Sequence, residues 1–75
     1  MNAPFLLTLW VELYVGSRAA RAISERAVLV ENLRQVSENE WEATSYSRSD
    51  VNNLREIINE QMAEYDIVEY EIEIH

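Results

Sequence analysis

Period-two sorting opens the chain. From Phe5 to Val15 the odd positions Phe5, Leu7, Leu9, Val11, Leu13 and Val15 are apolar, and the even positions Leu6, Thr8, Trp10, Glu12 and Tyr14 are mixed. A strand buried on one face and partly open on the other has this pattern. Gly16-Ser17 reads as a turn, with Ser17 as N-cap of a helix running to about Val36. Ala19, Ile23, Ala27, Val30 and Leu33 form its apolar stripe, with Ala22, Leu29 and Val36 beside them and Arg26 and Arg34 near the edges. Ser37-Glu38-Asn39-Glu40 reads as a polar loop. Trp41 to Ser47, rich in β-formers, reads as a second strand. Ser49 or Asp50 is positioned to cap a second helix, whose stripe is Val51, Leu54, Ile58, Met62 and Tyr65 with Ile57 adjacent. Glu56, Glu60 and Glu64 recur every four residues and share its solvated side. The last element is the cleanest: Val68, Tyr70, Ile72 and Ile74 alternate with Glu69, Glu71 and Glu73.

The order β-α-β-α-β predicts an α/β domain bordering on α+β: a small two-layer sandwich with a three-stranded sheet and both helices on one face. A right-handed first crossover would set strands 1 and 2 parallel, and strand 1, the most apolar, would be central. The other sheet face is left uncovered. It would carry Thr8, Trp10, Glu12, Tyr14, Glu42, Thr44, Tyr46, Glu69, Glu71 and Glu73.

Composition bounds what this arrangement can do. At 75 residues the chain is expected to form one domain, and beginning at Met1 it reads as a complete small protein. Its apolar fraction of 48% allows a real core. There is no cysteine, which excludes disulfides and thiolate metal sites and agrees with a reducing, cytoplasmic setting. The apolar run from Phe5 to Val15 is too short to span a bilayer and contains Glu12, so no membrane role is expected. The sole histidine, His75, lies at the end of the sequence, where fraying is expected. Neither a Ser/His/Asp nor a Cys/His arrangement can be assembled, and the acid spacing does not match a calcium loop. No catalytic residue, cofactor or metal is therefore assigned.

Charge changes the picture most. The net charge is −8, and every basic residue is arginine. Up to residue 37, four arginines meet three glutamates; beyond it, two arginines meet eleven acids. Such a surface repels nucleic acid and anionic membrane and steers toward basic proteins. Aromatic rings on an open sheet can stack bases, but that use needs cations for the phosphates. Trp10, Glu12, Tyr14, Glu42, Tyr46, Glu69, Glu71 and Glu73 on the sheet, with Glu56, Glu60 and Glu64 on the helix, are thus the candidate partner-binding residues. Rows of carboxylates about 6–7 Å apart could imitate a phosphate backbone, as an inhibitor or adaptor of phage or mobile-element type would need. The same alternation on an edge strand also serves solubility alone. Stacking of two open faces into a homodimer is a competing use of Trp10 and Tyr14.

A second candidate lies at the strand-to-helix junction. Gly16, Ser17, Arg18 and Arg21 form the only concentrated positive patch, and a helix N-terminus favours anions. Arginines in a first turn oppose the helix dipole, so two of them break a local rule. This gives an alternative, a self-assembling subunit that binds a small anion. Leu13-Tyr14-Val15-Gly16 before a helix resembles the opening β-α unit of thioredoxin-like folds, whose redox cysteine pair and proline before the third strand are missing here.

Overall fold

The computed structural model describes residues 4–24 and 33–75. Within them lie four strands, β1 (Phe5–Val11), β2 (Arg34–Ser37), β3 (Glu40–Ser45) and β4 (Tyr70–Ile74), and two helices, α1 (Gly16–Ser24) and α2 (Arg48–Glu64). The strands form one sheet in the order β2-β3-β1-β4, with every neighbouring pair antiparallel. Connectivity β-α-β-β-α-β in this order is the ferredoxin-like, or split β-α-β, arrangement. The α/β class, the two layers and the interior place of β1 agree with the sequence; the number of strands and their directions do not.

The additional strand is β2. Its four residues are all exposed, so no alternation marks them in the sequence; the expected helix to about Val36 takes in Arg34, Gln35 and Val36, and the expected polar loop takes in Ser37. The intervening positions of that helix, 25–32, lie outside the described residues. Glu38 and Asn39 form the tight link between β2 and β3, Glu40 belongs to β3, and the ladder slips between Gln35 and Ser37. This hairpin overturns the parallel pairing. The crossover through α1 delivers β2, which runs in the direction of β1, and β3 then turns back to fill the space between them.

β1 ends at Val11, short of the expected Val15. Leu13–Val15 form a 3-10 turn closed by the Val15 amide donating to the Glu12 carbonyl at 3.0 Å. Helix α1 therefore begins at Gly16, and Ser17 lies in its first turn instead of capping it. The cap of α2 is Ser47, whose hydroxyl accepts from the Asp50 amide at 3.3 Å, so neither Ser49 nor Asp50 takes that role. A carboxylate at Asp50 complements the positive end of the helix.

The opposite end of α2 closes with a Schellman motif. The Ile67 amide donates to the Met62 carbonyl at 2.8 Å and the Asp66 amide to the Ala63 carbonyl at 3.1 Å. This requires Asp66 to take a left-handed conformation, φ 56°. Ile67 and Met62, brought together by the motif, are both buried.

The core lies between the sheet and the two helices. Leu7, Leu9 and Val11 of β1 and Trp41 of β3 pack with Val15, Ala19 and Ile23, and with Val51, Ile58, Met62 and Ile67. Each fully buried aliphatic side chain of this kind contributes about 1.5–3 kcal/mol. Gln61 is the exception, only 4% exposed; its Nε2 donates to the Ala22 carbonyl at 3.1 Å and ties α2 to α1. Val68, expected on the covered face, is 78% exposed because β4 starts only at Tyr70. His75 is not frayed: its amide donates to the Leu6 carbonyl at 2.8 Å, and its carbonyl accepts from the Leu6 amide at 3.2 Å.

Candidate protein-binding face

Both helices lie on the side of the odd-numbered β1 residues, so the even-numbered ones look out from the other face. The antiparallel register then decides which side chains meet there. Trp10 is opposite Glu40 of β3 and Glu71 of β4, and Thr8 is opposite Glu42 and Glu73. Cross-strand Cβ atoms stand about 5 Å apart, so each central residue is flanked on both sides by a carboxylate. Along β4, Glu71 and Glu73 are separated by about 6.7 Å. Trp10 is 39% exposed, and a shallow depression of about 250 Å³ is lined by Thr8, Leu9, Trp10, Glu40, Glu71 and Glu73.

Among the described residues, a guanidinium and an imidazole border this face. Arg34 of β2 pairs with Glu42, its register partner, at 2.5 Å. His75 Nε2 lies 3.4 Å from Glu73 Oε2 and 3.4 Å from Thr8 Oγ1. Glu40 and Glu71, on either side of Trp10, complete the acidic surround. In the sequence Glu40 belongs to the polar run 37–40 expected as a loop; its parity with Glu42 is the signal that it shares the strand face.

Other predicted residues fall elsewhere. Glu12 and Glu69 lie just beyond the ends of β1 and β4, joined by the Glu12 amide donating to the Glu69 carbonyl at 2.9 Å. Tyr14, in the 3-10 turn, is 72% exposed, and Glu69 and Glu12 are its charged neighbours. Partial loss of water, then the nearby Glu69 carboxylate, then the charge of Glu12, raise its phenol above the ordinary value. Tyr46 follows β3 at the far end of the sheet, where Ser45 pairs with Phe5, so it does not join Tyr14. Glu56, Glu60 and Glu64 are exposed on α2, in the other layer.

At the junction of Gly16, Ser17, Arg18 and Arg21, Arg18 has a structural account, and Arg21 lies in the last turn of α1 instead of the first, where a cation does not oppose the dipole. Arg18 Nη2 donates to the Tyr65 carbonyl, so the guanidinium serves the C-terminal cap of α2, where a cation is favourable. Seen along α1 alone the arginine breaks a rule; seen from α2 it satisfies one. The nearby depression of about 320 Å³ is lined by Gly16, Ser17, Ala20, Gln35 and Glu38, and so carries a carboxylate of its own.

Among the described residues, no group of three acids or histidines is placed to hold a metal, and no helix is long and apolar enough to cross a membrane. Fold and face together define a class: a small acidic α/β module with one face of its antiparallel sheet left uncovered by the described residues. Comparison with family models, with curated proteins and with solved structures gave no match.

Proposed function

We propose that this chain is a protein-binding module, an inhibitor or adaptor, whose open sheet face receives cationic side chains of a basic, nucleic-acid-binding partner. The observation that carries the reading is the register: an exposed Trp10 held between Glu40 and Glu71, beside Thr8 held between Glu42 and Glu73. A guanidinium laid on the indole gains about 0.5–2 kcal/mol from the ring face, and the flanking carboxylates can take its N–H groups in pairs. A phosphate-bearing ligand meets only repulsion from the same four acids.

Trp10 is the exposed tryptophan and Trp41 the buried one, so ligand-induced changes in fluorescence report the open face. Titration with a short arginine-rich peptide is expected to change Trp10 emission, with binding that weakens steeply with salt. A Glu40→Gln, Glu71→Gln, Glu73→Gln variant, unchanged in fold by circular dichroism, is expected to lose it. Equal binding by the variant, or an equal response to a glutamate-rich peptide, refutes the proposal.

A further inference from the structure

The edge of the sheet beside this face has its own chemistry. Leu6 and His75 exchange both backbone bonds, and the Glu12 amide reaches the Glu69 carbonyl, so Glu69, Glu71, Glu73 and His75 direct their N–H and C=O groups inward to β1. Tyr70, Ile72 and Ile74 alternate with them and direct theirs outward. Nothing among the described residues pairs with that side, because β4 ends the strand order. Among the described residues the edge is thus an unpaired ladder, with three residues offering donors and acceptors.

Its two sides differ in character. Toward the helices, the side chains of Tyr70, Ile72 and Ile74 are only half-buried. A depression of about 450 Å³ opens there, lined by Ala63, Ile67, Val68 and Tyr70. On the open face, Glu71 and Glu73 stand at the margin of the acidic surround.

A second copy of β4 is a poor occupant. In the register of greatest overlap, an antiparallel copy that kept its apolar side toward the helices would set Glu71 opposite Glu73, and facing like charges are destabilising. A strand with the opposite pattern has no such conflict. We infer that the outer edge of β4 is a docking site for an extended segment of a partner protein in which basic residues alternate with apolar ones. The segment adds as a fifth strand: its backbone bonds Tyr70, Ile72 and Ile74, its apolar residues cover the helix-side depression, and its Lys or Arg residues face Glu71 and Glu73. This rests on the reading of a basic partner and adds the partner's conformation and residue pattern.

The test uses the intact chain and synthetic peptides. An alternating Arg-Val peptide is compared with a block isomer of identical composition, its arginines first and its valines last. The alternating peptide is expected to bind about tenfold tighter and to slow hydrogen exchange at the amides of Tyr70, Ile72 and Ile74. N-methylating alternate peptide amides gives two further probes, which leave the protein untouched. The one whose methyls face β4 is expected to lose binding, and the one methylated on the opposite set to keep it. Block and alternating isomers that bind alike, quenching Trp10 without protecting those amides, overturn the edge site and leave the open-face reading standing. No response of Trp10 or of the amides to any of the peptides overturns both.

Discussion

Replacing Gly16 with alanine tests whether the β2–β3 turn is held against α1 as tightly as the structure places it. Gly16 does not have a positive φ, so backbone conformation does not demand glycine there. Proximity does: a Cβ at this position would stand 2.8 Å from the Glu38 carbonyl oxygen. That oxygen belongs to the main chain of a turn tied on two sides. The neighbouring Asn39 carbonyl accepts from the Val11 amide at 2.9 Å, and the Glu38 carbonyl accepts from Gln35 Nε2 at 3.4 Å. Overpacking of this kind costs about 1–3 kcal/mol. Against it stands the advantage of alanine over glycine in a helix, about 1 kcal/mol and less at a first helical residue. The clash prevails, and the expected net loss is about 1–2 kcal/mol. For a chain this small, with about 1 kcal/mol per molar urea as its slope, the unfolding midpoint should fall by about 1–2 M. Urea unfolding followed by fluorescence and by circular dichroism measures this directly. A midpoint equal to or above that of the wild type would refute the reasoning, because the turn would then have yielded at no cost.

Asp66→Gly is expected to raise stability by about 1 kcal/mol, since it removes a Cβ from the left-handed region and a carboxylate from the negative end of α2; an unchanged urea midpoint would contradict this. Gln61→Leu deprives the Ala22 carbonyl of its donor in a buried place and is expected to cost about 1–3 kcal/mol, read from the same unfolding curves. The Tyr14 phenol, titrated by NMR, is expected to ionise above the ordinary 10.0, and Glu69→Gln should bring it back toward that value. Because its neutral form is favoured in the folded state, the associated stability is present below pH 10.0 and is lost as pH rises through the raised value. No downward movement in the Glu69 variant would remove that carboxylate as a cause.

What the sequence disclosed follows the strength of each local pattern. The odd positions of β1, the stripe of α2 and the acid–apolar alternation of β4 each repeat over several residues, and each led to the right element. β2 repeats nothing: Arg34, Gln35, Val36 and Ser37 are all exposed, and the turn after them contains neither glycine nor proline. A helix expected to run to about Val36 leaves no hairpin, and without the hairpin nothing sets β3 antiparallel to β1. Gln61 and Arg18 illustrate a different limit. A glutamine in a helix reads as solvated and an arginine in a first turn as misplaced, until the other helix supplies the carbonyl that each one bonds.

The candidate face was legible as a set of residues and illegible as an arrangement. Alternation alone assigns Trp10, Glu42, Glu71 and Glu73 to one side, but only register sets a carboxylate on each side of the indole, and a slip of one residue would send a strand's whole set to the other face. The pattern of β4 has two consequences from one cause. Facing glutamates repel a second copy of the strand, which protects an open edge from self-association. The same charges would attract a cationic strand, so on the proposed reading protection and recognition share their residues. Neutralising Glu71 and Glu73 would weaken both at once, and loss of solubility could pass for loss of binding. Peptides that keep composition and change only the order of residues, or methylate only one set of amides, separate the two, because solubility depends on charge whereas a fifth strand depends on pattern.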